Sequence, residues 1–199
     1  MMVVIYIFLN WGRFILARSR EQKAESRRAI VNSAAKLFRE KGVDGVTVAE
    51  IMDAAGLTHG GFPRHFASKQ ELVTEALADI FESSNRQPLL PTDVRGFARA
   101  YLRPEHRDAA GAGCVFAALG PEMSRAPAPT RRVLTEEMRR QIEQFIASAP
   151  GDDPHQKRVA AIGSWAAMIG AMLLARISDS EELSDEILQA TRAFLGAEP

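Results

Sequence analysis

The sequence predicts an all-α protein of about nine helices. Three observations carry that expectation. Between Lys23 and Lys41, Ile30, Ala34, Leu37 and Phe38 recur at helical spacing with charges between them. Thr47 with Glu50, and Ser68 with Glu71, each set a hydroxyl three residues ahead of a carboxylate, the pattern that satisfies the orphan amides of a helix start. Lys157–Ile177 is apolar on nearly every face, as suits a helix buried on most sides.

Taken in order, the first helix covers about 22–41 and stops at Gly42. A short second helix runs from the Thr47 cap to Ala55, where Gly56 ends it. Thr58 begins a third, through about Arg64, and Ser68 begins a fourth, through Leu72, Leu77 and Phe81. The turn between Ala55 and Thr58 is only a few residues long. Two short helices joined so tightly behind a longer one match the three-helix form of a helix-turn-helix.

Pro88 and Pro91 punctuate the next link. Thr92–Leu102 is a helical candidate that ends near Pro104. Ala109–Arg125 is small and apolar, but Gly111, Gly113 and Gly120 weaken it in isolation, so packing must hold it. Pro127 and Pro129 break the chain. Thr130–Ala149 is amphipathic, and Gly151–Asp152–Asp153–Pro154 forms a turn. Lys157–Ile177 and Leu183–Leu195 close the chain. Small residues on the first of these (Gly163, Ala166, Ala167, Gly170, Ala171) admit a neighbouring helix closely. A second copy of the chain is an economical cover, so a homodimer is expected through Trp165, Ile169, Met172, Leu173, Ile187, Leu188 and Phe194. The organisation expected is an apolar extension at 1–17, a helix-turn-helix domain at 18–66 and a larger helical domain at 67–199.

The 25 basic and 25 acidic residues cancel, yet they are not mixed evenly. Residues 1–41 hold nine Lys or Arg against three acids, while Glu181, Glu182, Asp185 and Glu186 crowd the rear. A basic front and an acidic rear suit a protein that meets phosphate with one end. One cysteine, Cys114, forms no internal disulfide, which points to a reducing cytoplasm. The apolar run Val3–Leu9 is too short to span a bilayer, and no Lys or Arg precedes it as a secretory signal requires. An extension without function, an arm that packs or touches DNA, and a membrane attachment remain open for it, the first preferred; no membrane partner is expected.

Enzyme chemistry finds little support. His59, His65, His106 and His155 show no paired metal-ligand spacing, and neither a phosphate loop, a dinucleotide fingerprint nor a nucleophile elbow occurs. No metal and no cofactor is expected.

Residues 26–72 resemble the DNA-binding domain of the TetR/AcrR family of bacterial regulators. The resemblance rests on Ile30, Ala34–Ala35, Leu37–Phe38, Gly42, Thr47–Val48, Ile51, Ala54–Ala55–Gly56–Leu57–Thr58, Gly60, His65–Phe66, Ser68–Lys69 and Leu72. It implies a dimeric regulator, usually a repressor, whose third helix enters the major groove of a palindromic operator. It further implies a rear domain that takes a small apolar or amphipathic effector and moves the two heads out of register. Thr58, His59, Gly60 and Gly61 then lie at the entry of the reading helix, where amides and side chains reach phosphate or base edges. Thr47 and Lys69 are candidate phosphate contacts. Arg64 and His65 follow the reading helix, and His65 suits a packed core edge equally well. Arg27 and Arg28 supply field, by direct contact or as a solvated face.

Pro63 departs from the resemblance. The family usually carries a tyrosine there, whose ring and hydroxyl help clamp the backbone. Proline offers neither, and inside a helix it removes a donor and clashes. A shortened or tightened helix is expected. If Pro63 disables it, an interaction module that does not bind DNA becomes the alternative. Phe97, Tyr101, Cys114, Phe116, Met123, Met138, Phe145 and Trp165 are candidate effector-pocket residues, each of which suits plain core as well. Cys114, beginning its helix, is also a candidate sensing thiol, against the commoner inert buried cysteine.

Overall fold

A computed structural model describes the backbone of residues 2–88 and 90–198 and the side chains of residues 20–88 and 90–198. The roles considered for residues 1–17 lie outside the described side chains. Among the described residues the fold is nine α-helices and two short 3-10 helices.

Helix α1 spans Met2–Lys41, longer than the expected 22–41 because no proline interrupts the chain ahead of Glu21. Gly42, at φ +77°, ends it in the left-handed conformation that a glycine adopts without cost. Helix α2, Val48–Ala54, starts on the Thr47–Glu50 capping box, with both reciprocal bonds present. Gly56, at φ +70°, turns the chain out of it. The segment His59–Arg64 is a 3-10 helix with Pro63 inside it. Helix α3, Lys69–Arg86, is capped by the Ser68 hydroxyl on Glu71 N–H, while the Glu71 carboxylate reaches back to the Ala67 amide.

The rear part holds α4 (Val94–Tyr101), α5 (Pro104–Asp108), a 3-10 turn at Ala110–Ala112, α6 (Val115–Met123), α7 (Ala128–Ile146), α8 (Pro154–Ile177) and α9 (Glu181–Phe194). Two expectations change here. Pro104 begins a helix as well as closing the one before, since its missing N–H is an orphan in a first turn. The helix expected over Ala109–Arg125 forms only from Val115, because Gly111 and Gly113 are drawn into close contacts instead: a side chain at Gly111 would overlap Glu40 of α1. The α7, α8 and α9 starts fall two or three residues earlier than expected, set by prolines near the α7 and α8 starts and by the Asp153 and Ser180 caps, while α8 ends at Ile177 as expected.

Two apolar clusters form. The front one gathers Ile30, Ala34, Phe38, Ile51, Met52, Phe62, Phe66, Leu72 and Leu77, and it takes Val115, Leu119, Met123 and Leu134 from the rear helices. The rear one joins Val94, Ala98, Tyr101, Leu102 and Phe145 to Met168, Met172 and Leu188. The head is thus built onto α6 and α7, not merely tethered to them.

Helix α8 is the one described helix long and apolar enough to cross a membrane by length and composition. It packs on α4, α5, α6, α7 and α9, and its opposite side is open. On that open side stand Val159, Ile162, Gly163, Ala166, Leu174 and Ile177, with Leu183, Ala190 and Phe194 exposed on α9.

Candidate nucleic-acid interface

The reading segment is short because its sequence allows little else. Gly60 and Gly61 favour no helix, and Pro63 donates no amide. It is instead pinned by two aromatic rings. Phe62 and Phe66 are buried and stack at 5.6 Å between centroids, with Phe62 set in the front core. Gly61 N–H donates to Thr58 O, and His65 and Phe66 N–H both donate to Phe62 O. The Thr58 hydroxyl makes no capping bond, so it is unspent. Thr58, His59, Gly60, Pro63 and Arg64 are exposed in this segment, and Thr47 is exposed across the turn.

The other candidates are placed differently. The Arg27 guanidinium lies over the Phe66 ring, 4.0 Å from its centroid. It donates to the His65 carbonyl and to the Glu71 and Glu75 carboxylates. Arg27 is therefore a brace between α1, the reading segment and α3. The Glu75 hydrogen bond raises its pKa, against some desolvation. Arg28, next to it, is exposed and carries the free charge of that helix turn.

The Lys69 ammonium donates to the Val43 and Val46 carbonyls, tying α3 to the α1–α2 loop. That bond explains the basic residue at a helix start without any phosphate, and it leaves one ammonium proton for an outside acceptor. His65 is half-buried, with Nδ1 buried and unpartnered. Desolvation lowers its pKa first, and Lys23, Arg27 and Arg64 lower it further, so the ring is held neutral.

One contact that the sequence does not announce comes from the rear. The Glu122 carboxylate of α6 accepts a hydrogen bond from Val43 N–H at 2.7 Å. A side chain at Gly42 would overlap the same carboxylate. The α1–α2 loop is thus held from both sides, by Lys69 of the head and Glu122 of the rear. With Val43 and Glu122 79 positions apart in the sequence, no local pattern could have shown the pair.

The candidate pocket residues divide. Tyr101 and Phe145 are buried in the rear cluster, and Phe97, Cys114 and Trp165 pack against it. Phe97 stacks on Tyr101 at 5.4 Å and meets Phe145 edge-on at 5.1 Å. Met123 belongs to the front cluster and Phe116 packs on that cluster, while Phe116 also meets Trp165 edge-on at 5.0 Å. Met138 is exposed and belongs to neither apolar cluster. Burial pushes the Tyr101 phenol far above its ordinary pKa, the Cys114 thiol beside it adds to the rise, and Arg176 opposes it. His106 is lowered by desolvation first. Its Nδ1 lies 2.7 Å from Tyr101 O, and Nε2 is 3.3 Å from Cys114 N–H, so the neutral ring with the proton on Nδ1 satisfies both. Of the expected interface residues, Met172 and Leu188 are interior core of one protomer and do not reach the open face. Trp165, Ile169, Leu173 and Ile187 are half-buried, and Phe194 is 80% exposed.

Fold and site together define a two-part helical protein with a helix-turn-helix head carried on a larger helical body. Residues 30–76 match the model of the bacterial regulatory proteins of the tetR family. The chain is 35% identical over 69 residues to the transcriptional regulator TtgR of Pseudomonas putida, a match covering 35% of this chain and 33% of that one. The match therefore spans about a third of the length of the curated relative. A TetR-family regulator from Agrobacterium tumefaciens superposes at a TM-score of 0.69 with 21% identity, covering 87% of this chain and 97% of that one. A TetR regulator from Chloroflexus aurantiacus gives 0.63 with 25% identity, covering 89% and 98%. The head thus matches the tetR family of bacterial regulatory proteins, and the whole chain shares its fold with solved TetR-family regulators.

Proposed function

We propose that the protein is a homodimeric, cytoplasmic repressor that binds a palindromic operator through its head and leaves it when a small apolar or amphipathic effector enters the rear domain. The observation that carries this reading is the head itself: a family-matched helix-turn-helix whose exposed Thr47, Thr58, His59, Gly60 and Arg64 surround a reading segment pinned from beneath by Phe62 and Phe66. Thr58 with the Gly60–Gly61 backbone makes the closest approach to the duplex. Arg28 and Arg64 meet phosphate, and Lys69 can offer its remaining proton there. Arg27 and His65 support this surface from behind.

The open face of α8 and α9 is the dimer surface. Exposed apolar residues of both helices stand on it, and Gly163 and Gly170 have open space where a side chain would stand, so a partner helix can approach closely. A bilayer is a poor alternative cover. The short α4 and α5 beside α8 are joined by irregular backbone that hydrocarbon does not tolerate.

Selection of bound duplexes from genomic fragments by the purified protein tests the reading. An enriched palindrome, bound with a salt dependence set by the phosphates contacted, is the expected result. A folded dimer that enriches no sequence would overturn it in favour of an interaction module.

A further inference from the structure

Among the described residues, the Tyr101 hydroxyl and Arg176 Nη1 are buried polar atoms that meet no hydrogen-bond partner. Tyr101 is 3% exposed, and its hydroxyl lies beside the Cys114 thiol without closing a hydrogen bond of normal geometry. Arg176, in the last turn of α8, reaches inward. Its Nε donates to Arg107 O at 3.0 Å and its Nη2 to His106 O at 3.1 Å, while Nη1 is buried and donates to nothing. The His106 ring lies 4.4 Å from that of Tyr101, and the Arg176 guanidinium and the His106 ring both border Gly113.

No countercharge is built in. Among the described residues, neither Arg176 nor Arg39, which donates to Gly113 O on the other side of the same segment, forms an ion pair. Asp108, whose field reaches Arg176, is exposed and bound by Arg107 at 2.7 Å. His106 is neutral. A buried guanidinium N–H without an acceptor is costly, as is a buried phenol without a partner. One group relieves both costs: a carboxylate, which accepts from a guanidinium N–H and from a phenol O–H with charge-assisted strength. Apolar rings continue from Tyr101 and from the Cys114 end of α6. Phe97 lies against Tyr101 and Phe145, and Phe116 lies against Trp165, with Phe97, Phe116 and Trp165 only half-buried.

We propose that this centre is the head-group site for an amphipathic monocarboxylic acid, its carboxylate held by Arg176 Nη1 and the Tyr101 hydroxyl and its apolar tail laid against Phe97, Phe116 and Trp165. The inference rests on the reading that the rear domain takes an effector, and it names the effector's chemical class. It also supplies a route to the head. A carboxylate that draws Arg176 toward itself loosens its hold on the His106 and Arg107 carbonyls. The segment that follows, 109–113, is the one packed on α1 through Gly111 against Glu40 and Gly113 against Arg39.

Calorimetric titration of the full-length protein at pH 7.5 with decanoate, decan-1-ol and decyltrimethylammonium tests this without DNA. Decanoate is expected to bind at least about tenfold more tightly than the other two, since a hydrogen bond to a charged group carries that much discrimination. Tyr101→Phe is expected to weaken decanoate by about tenfold while the ligand-free melting temperature stays level or rises, because the hydroxyl has no partner to lose. Arg176→Lys keeps the cation, loses the fork, and is expected to weaken decanoate as well. Three results overturn the proposal: equal affinity for the alcohol; no binding of decanoate, octanoate or dodecanoate; or full decanoate affinity in Tyr101→Phe. A lower melting temperature in Tyr101→Phe without acid binding would assign the hydroxyl to an internal water instead. A protein that selects a palindrome yet ignores the acids rejects this proposal alone. One that binds acids through Tyr101 yet selects no duplex rejects the regulator reading alone.

Discussion

Gly60 has nothing within contact distance of where a side chain would stand, and Gly61 meets only Met52 and Thr58 at ordinary separations. Neither takes a positive φ. The fold of one protomer therefore asks for glycine at neither position. Gly60→Ala is expected to leave the melting temperature level or raised, since alanine loses less backbone entropy. The same change is expected to weaken operator binding severalfold by holding the backbone off the duplex. Equal affinity in a gel-shift or anisotropy titration would remove Gly60 from the interface. The histidines make a second residue-scale prediction. Burial lowers the pKa of both His65 and His106, so below about pH 6.5 the unfolded chain binds protons that the folded one refuses. Their contribution is complete above that pH and drains away as pH falls through the lowered values. Denaturation midpoints at pH 7.5 and 5.5 should therefore fall on acidification. His106→Asn, which can retain a donor toward Tyr101 O, should shrink the drop. An identical drop in both proteins would acquit His106. At this scale the sequence is legible where bonds are local, as in the Thr47–Glu50 box. Lys69 is not, because its two carbonyl partners lie 26 and 23 residues earlier in the chain.

The reading segment shows how one residue sets an element. Pro63 cannot donate, and the segment His59–Arg64 closes as a 3-10 helix on the Gly61 and His65 amides either side of it. Tyrosine at this position would restore an N–H and add a hydroxyl on the exposed side. Pro63→Tyr is expected to raise operator affinity, read as a lower dissociation constant on one duplex. An unchanged or weaker constant would mean that the 3-10 form is the one the operator prefers. Elsewhere, capping patterns locate most helix starts well, since a cap is a contact among residues three apart. The stretch from Pro104 to Val115 resists such reading. Its glycines serve packing against α1 and Arg176, and no propensity reports a packing partner.

For the whole molecule, the open α8–α9 face is the feature that a single chain leaves unfinished. Ile162→Glu combined with Phe194→Glu places charge on exposed positions of both helices and touches no buried residue of the protomer. Sedimentation should then show a folded monomer, and operator affinity should fall steeply because two heads no longer bind as one unit. A persistent dimer would move the interface off this face.

By itself, the sequence determined the helical class, the helix-turn-helix head and the greater part of the helix boundaries, because periodicity and capping act over three or four residues. The tertiary structure alone decided which basic residues are spent internally, as Arg27 and Lys69 are, and which apolar residues of α8 and α9 face inward, as Met172 and Leu188 do. It alone tied Glu122 to Val43 and left Tyr101 and Arg176 with unanswered donors. Each of these depends on groups brought together from distant parts of the chain, and a helix face shows only that it must be covered, not by what.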